Sequence, residues 1–254
     1  MVSPTLERCQ ALRERHYPRN QWPGIMYEAA VTRGFDGTGV LLEIGCSREG
    51  KRLRRMAQHF AHGVGIDMEI AHQWPPEDQT TMILGDGHKL CLQDEGVDVV
   101  CMANVAEHLE HPAVAFRECA RVLKTGGRLV VMTVNQNFPP IAAARVMPHG
   151  MRQMINRIAS GTADEDTFPA YYRANTLASL TSEARAAGFE AVDVRYIQHH
   201  PHYLMFSTAA YRLGVLFEKM TRPVAPLRHM ILGVFEKPAA PTNGNGNGNG
   251  GATR

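Results

Sequence analysis

The chain has 254 residues, 44% hydrophobic and 20% charged, with a formal net charge of +2. This describes a globular chain with a core sufficient for one embellished domain, and the near-neutral balance carries no electrostatic footprint of a nucleic-acid partner. No uncharged stretch approaches the ~20 apolar residues of a membrane span, and the opening MVSPTLERCQALRERH lacks the apolar centre of a secretion signal.

The five cysteines, Cys9, Cys46, Cys91, Cys101 and Cys119, are odd in number, scattered and without a C-x-x-C pair. That argues against a disulfide framework or a zinc site and for a reducing, cytoplasmic setting.

Residues 1–39 are expected to form an N-terminal helical cap. Short apolar runs then recur along the chain at 40–44 (VLLEI), 62–66, 81–84, 97–102, 128–134, 191–197 and 229–236. Helical patterns lie between most of them. Residues 51–60 place Leu53, Met56 and Phe60 at helical spacing. Residues 112–123 open on Pro112, which suits a first helical turn. Residues 176–187 have Thr176 as cap and Gly188 just past the end. Strand and helix in alternation predict an α/β fold, a mostly parallel sheet with helices on both faces. Ligands of such sheets bind beyond the carboxyl ends of the strands, where the strand order reverses.

Two segments, 136–175 and 198–227, are too long for simple connections and are expected to be lid-like inserts. Within 203–220, Phe206, Ala210, Leu213, Phe217 and Met220 fall at helical spacing. The stripe predicts a helix packed on the sheet or lid. The alternatives are a wall for an apolar acceptor or an interfacial helix, with Arg212, Lys219 and Arg222 beside it for peripheral membrane contact. The terminal NGNGNGNGGATR has nothing to bury, so 239–254 is expected to be a disordered tail.

The chemistry concentrates at the strand ends. Residues VLLEIGCSREG bring Glu43 to the edge of the first strand, then Gly45, where backbone can approach a ligand closely. An acid two residues before the glycine serves an ammonium group better than a pyrophosphate, and the dinucleotide pattern G-x-G-x-x-G is absent. A nicotinamide dehydrogenase is disfavoured for the same reason. HGVGIDME ends the second strand with Asp67 and Met68; a carboxylate there can accept from both hydroxyls of a ribose. ILGDGHKL ends the third with Asp86 and Gly87, placed to accept from an adenine amino group, and CMANVAEHLEH follows the fourth.

These motifs, in this order, resemble the class I S-adenosylmethionine-dependent methyltransferases of the ubiquinone and menaquinone group. The match runs through Glu43-Ile44-Gly45-Cys46, Gly65-Ile66-Asp67, Gly85-Asp86-Gly87, Ala103-Asn104-Val105-Ala106-Glu107-His108-Leu109 and Leu123-Lys124-Thr125-Gly126-Gly127. Ser47 and Glu49 stand where the family usually has glycines. The resemblance implies a Rossmann-like seven-stranded sheet with its last strand antiparallel. It implies S-adenosyl-L-methionine as cofactor, with Glu43, Gly45, Cys46, Ser47, Asp67, Met68, Asp86, Gly87 and Asn104 as binding residues and Arg48 nearest for the methionine carboxylate. It also implies a mechanism of alignment, able to lower a barrier by up to about 7–11 kcal/mol, aided by a base where a hydroxyl must lose its proton. His108 and His111 are the candidates for that base. Phe168, Tyr171 and Tyr172 are candidate pocket walls. His199, His200 and His202 read as a pocket wall rather than a metal site, and His149 is a further histidine in the first insert. No metal is expected.

The expected function is methyl transfer to a small-molecule or lipid- or sugar-linked acceptor, at oxygen. The alternatives are a non-catalytic protein that binds the same cofactor and an N- or C-methyltransferase. Nucleic acid is disfavoured as a substrate, because NVAEH follows the fourth strand where an N-P-P-[YF]-type motif would stand.

Overall fold

The computed structural model describes residues 3–70, 79–146 and 168–239. His149, much of the 136–175 insert and residues 240–254 of the Asn/Gly tail lie outside the described residues.

The chain enters through two helices, α1 (Pro4–His16) and α2 (Pro23–Thr32). The strands are β1 (Val40–Ile44), β2 (His62–Asp67), β3 (Thr80–Leu84), β4 (Val97–Ala103), β5 (Leu123–Val134), β6 (Glu190–Ile197) and β7 (Met230–Glu236). The remaining helices used below are α3 (Lys51–Ala57), α4 (Pro112–Val122), α5 (Pro139–Val146), α6 (Leu177–Ala186) and α7 (Thr208–Thr221). The strands form one seven-stranded sheet in the order β3-β2-β1-β4-β5-β7-β6. Pairing is parallel from β3 through β5, and β7 runs antiparallel to both β5 and β6. The Rossmann-like sheet and its antiparallel last strand are thus as expected.

Both faces of the central strands are apolar because both are covered. Successive side chains point to opposite faces. Leu42, Ile44, Val100, Met102 and Val131 join Phe116 and Cys119 of α4 and Leu180 and Ala184 of α6. Their chain neighbours Leu41, Val99, Cys101 and Val130 join Tyr27 and Val31 of α2 and Leu53 and Met56 of α3. Each fully buried side chain of this size contributes about 1.5–3 kcal/mol. The helices before β1 therefore share the core of the sheet through α2. On the α3 side the packing is tight: a Cβ at Gly65 would lie 2.7 Å from both Cys46 Sγ and a Leu53 methyl.

Local signals placed the helix ends. Pro112 opens α4 at its first turn. Thr176 caps α6 in a reciprocal capping box with Ser179, and Gly188 follows at φ +91°. β5 begins at Leu123 rather than 128, with Lys124-Thr125-Gly126-Gly127 absorbed as an irregularity in its pairing with β4.

The apolar stripe in the 198–227 insert departs from expectation. α7 packs by Tyr211, Gly214, Val215 and Glu218, with Tyr211 and Val215 against Cys9 of α1. Tyr17 just after α1 donates to Glu218 Oε2 at 2.5 Å. The helix is therefore rotated, so that Leu213, Leu216 and Met220 face outward at 67%, 55% and 73% exposure. Phe206, before the helix, is also exposed. Among the described residues no helix is long and apolar enough to cross a membrane.

Candidate functional site

The strand order reverses between β1 and β4, and a cavity of about 540 Å³ opens at the carboxyl ends of β1 to β4. This is where open α/β sheets receive ligands. The β1 loop supplies Gly45, Ser47 and Arg48, β2 supplies Asp67, Met68 and Glu69, and β3 supplies Gly85, Asp86, Gly87 and His88. From β4 come Asn104, Val105, His108 and Glu110. A strap, Phe168, Pro169 and Tyr171, closes one side.

The loop after β1 is shaped by backbone that only special residues tolerate. Gly45 has φ +74°, and a Cβ there would fall 2.2 Å from Val105 Cγ2. Ser47 and Asn104, on the β1 and β4 loops, also adopt left-handed φ, +63° and +57°. Strain of this kind persists where surrounding contacts impose it, and it clusters at ligand sites. Here Ser47 N–H donates to Asp67 Oδ2 at 2.7 Å and Glu69 N–H to Asp67 Oδ1 at 3.0 Å. Asp67 thereby ties the first loop to the end of β2 and still lines the cavity.

At the end of β3, Asp86 Oδ1 accepts from His88 N–H at 2.9 Å and from the His88 ring at 2.7 Å. Partial burial raises the Asp86 pKa, but the hydrogen bonds from His88 outweigh it and hold the carboxyl below its ordinary value. Asp86 is thus a firm acceptor. His88 lines the cavity and was missed from sequence; its position two residues after Asp86 was the available signal.

Glu43 and Cys46 are placed differently from the other predicted contacts. Neither lines the cavity. Strand alternation turns Glu43 to the α3 face, where it is fully buried and accepts from Arg52 Nε. Burial pushes the Glu43 carboxyl up, and the Arg52 charge pulls against that. Its second oxygen, Oε2, has no hydrogen-bond partner among the described residues. Cys46 is buried against Met82. The basic run after Gly45 is largely paired: Lys51 with Glu49, Arg55 with Glu28, and Arg48 with Glu69 at 3.8 Å.

The two candidate bases also separate. His108 lines the cavity, and its Nδ1 lies 3.0 Å from the Pro169 carbonyl. A carbonyl only accepts, so Nδ1 carries a proton, and in the neutral ring Nε2 is the nitrogen with the lone pair. His111 is exposed, stands at the N-cap position of α4 and does not line the cavity; its N–H donates to His88 Nε2 at 3.4 Å.

The strap is held from below. Tyr171 and Tyr172 N–H groups donate to the Glu107 carbonyl at 2.8 and 3.1 Å. The buried Glu107 carboxylate accepts from Thr133 Oγ1 at 2.7 Å, and Asn175 Nδ2 donates to the same Thr133 oxygen at 2.6 Å. Burial raises the Glu107 pKa. Phe168 and Tyr171 reach the cavity; Tyr172 does not line it, nor does any residue of the 198–227 insert.

The lining suits an adenosine carrying a charged tail. Carboxylates stand at the ends of the second and third strands, and a glycine cradle at the end of the first leaves no room for a Cβ. Comparison with known proteins points the same way. Residues 42–131 match a family described as a methyltransferase domain. The chain is 26% identical over 168 residues to a ubiquinone biosynthesis O-methyltransferase of Coxiella burnetii, covering 63% of this chain and 68% of the relative. A protein of the same description from Pseudomonas savastanoi pv. phaseolicola is 27% identical over 187 residues, covering 72% and 69%. In fold, the chain is similar to an S-adenosylmethionine-dependent methyltransferase from Mesorhizobium loti. The TM-score is 0.57 at 15% identity, over 84% of this chain and 97% of that one.

Proposed function

Because this chain is a class I S-adenosylmethionine-dependent methyltransferase, we propose that it methylates an oxygen of a small, partly apolar acceptor. The observation that carries the reading is His108, on the cavity wall with Nδ1 held by the Pro169 carbonyl. Nε2 is thereby left to take the proton of an acceptor hydroxyl. Phe168 and Tyr171 supply the apolar side of the same wall. The relatives named as O-methyltransferases support oxygen as the acceptor atom.

S-adenosylmethionine supplies a methyl group already activated on a sulfonium. In this reading Asp67 accepts from the ribose hydroxyls and Asp86 from the adenine amino group. Gly45, Ser47, Met68, Gly87 and Asn104 form the surrounding wall, and Arg48 meets the methionine carboxylate. Glu43 acts from behind, holding Arg52 and the loop after β1. Alignment of the acceptor then supplies much of the rate.

A lipid-linked acceptor is supported by the outward face of α7. Leu213, Leu216 and Met220 are exposed there, beside exposed Arg212, Lys219 and Arg222. An apolar stripe rimmed by cations suits an anionic lipid surface. The five free thiols support a reducing, cytoplasmic location.

Calorimetric titration with S-adenosylmethionine, S-adenosylhomocysteine and NAD, on wild type and Asp67→Ala, tests the site. Binding of the first two, weakened roughly 10- to 100-fold in the variant, is expected from the loss of charge-assisted hydrogen bonds. A hydroxylated acceptor panel then tests the reaction, with His108→Ala expected to lower kcat by about 10²- to 10⁴-fold while cofactor affinity is kept. Turnover undiminished in His108→Ala overturns its role as base.

A further inference from the structure

A second cluster of chemistry sits on the same edge of the sheet, over β6 and β7, away from the cofactor cavity. β6 ends at Ile197 and β7 begins at Met230, and these two residues are paired in the antiparallel ladder. His199 and His202 follow β6, and His229 immediately precedes β7, so the pairing brings the three together. One ring nitrogen from each lies within 4.8 Å of one from each of the others. His199 Nδ1 and His202 Nδ1 are 3.3 Å apart. The His199 and His229 ring centroids are 5.2 Å apart, and the His202 and His229 rings are stacked at 5.8 Å.

His229 gives the cluster its direction. The ring is 5% exposed and lies flat against Phe138, centroid to centroid 4.6 Å. Its Nδ1 is buried with no hydrogen-bond partner among the described residues. A buried orphan nitrogen in a ring facing two other imidazoles requires an explanation. Neutral imidazole is the form that binds metal.

We propose that His199, His202 and His229 form a three-histidine site for a zinc-type divalent transition ion. Tetrahedral zinc holds imidazole nitrogens at about 2.0–2.1 Å, which sets them about 3.3 Å from one another; the His199–His202 pair already has that separation. An all-imidazole set selects zinc, cobalt, nickel or copper, whereas magnesium and calcium require oxygen ligands. His199 Nδ1 also lies 2.6 Å from the His200 carbonyl, so binding an ion through that nitrogen releases its proton and breaks this contact. Three protein ligands leave one position for water or another oxygen donor. The ion would pin the loop after β6 to the entry of β7.

The test uses the full chain without an affinity tag, stripped with a chelator and dialysed. Zn²⁺ is titrated by calorimetry and Co²⁺ by visible absorption. Expected are one saturable equivalent per chain and cobalt bands of tetrahedral nitrogen ligation. His202 is exposed, so His202→Ala keeps the fold, verified by circular dichroism and metal-free Tm. Its affinity falls by at least about a hundredfold, beyond the 10- to 100-fold typical of outer contacts. His199→Gln behaves the same way, and His108→Ala keeps full affinity. Absence of saturable binding in wild type, or unchanged binding in a folded His202→Ala, overturns the proposal. So does binding abolished by His108→Ala, which would move the ion to the cofactor cavity.

Discussion

Arg52 of α3 donates through Nε to Glu43 of β1, and the carboxylate it meets is fully buried, its other oxygen without a hydrogen-bond partner among the described residues. The motif acid thus serves the helix beside the strand, under the floor of the cavity. Removal of one partner of a buried pair leaves an uncompensated charge and costs about 3–5 kcal/mol. Arg52→Met is expected to lose that much stability in urea unfolding, and Glu43→Leu combined with Arg52→Met to recover most of it. A large loss of cofactor affinity in Arg52→Met at unchanged stability would show that Glu43 faces the ligand instead.

Gly45 is the position where backbone and packing agree. Any side chain there must adopt φ +74° and meet Val105 Cγ2 at 2.2 Å. Gly45→Ala is expected to cost about 2–5 kcal/mol, from left-handed strain and overpacking together. Val105→Ala in the same chain should restore the packing share and leave the strain. Equal stability of Gly45→Ala and wild type in denaturant would contradict the loop geometry.

Much of this was legible beforehand. All seven strands stand where apolar runs stood, because a two-sided sheet writes itself as short apolar segments. Pro112 and the Thr176 cap marked helix starts because their chemistry is local. What escaped depended on rotation or distance. The sequence shows Glu43 at a strand end, but only the alternation of the strand, registered against α3, shows which way it points. The stripe on α7 is periodic either way; the Tyr17–Glu218 contact selects which face is buried. His229 lies far along the chain from His199 and His202, so only the β6–β7 pairing reveals the cluster.

Glu218 gives a pH dependence of stability. Burial raises its pKa from 4.5 to about 7, with the Tyr17 hydrogen bond opposing the shift. Between those values the folded chain binds more protons at this site than the unfolded chain does, so stability falls as pH rises. Wild type is expected to lose stability through this window at Glu218, and Glu218→Gln to flatten the slope of urea stability between pH 4.5 and 7. A steeper slope in the variant would reverse the assignment.

The outward face of α7 makes a prediction for lipid vesicles. Flotation with phosphatidylglycerol-containing vesicles should recover the wild-type chain at low salt and release it as salt rises, since the cations of the rim are screened. The double substitution Leu213→Glu and Leu216→Glu should abolish flotation and leave unfolding unchanged, because both side chains are already exposed. Flotation that persists in this variant would assign the lipid contact to another surface.

β7 is the last strand in sequence among the described residues, yet it lies between β5 and β6. While the chain is being synthesised, β5 offers an open edge and β6 has no neighbour until Met230–Glu236 emerges. An exposed edge strand is a template for pairing with other chains, and late, distant pairing is slow. The nascent protein is therefore most vulnerable to aggregation just before β7 appears. A ribosome stalled before Met230 would hold it in that state.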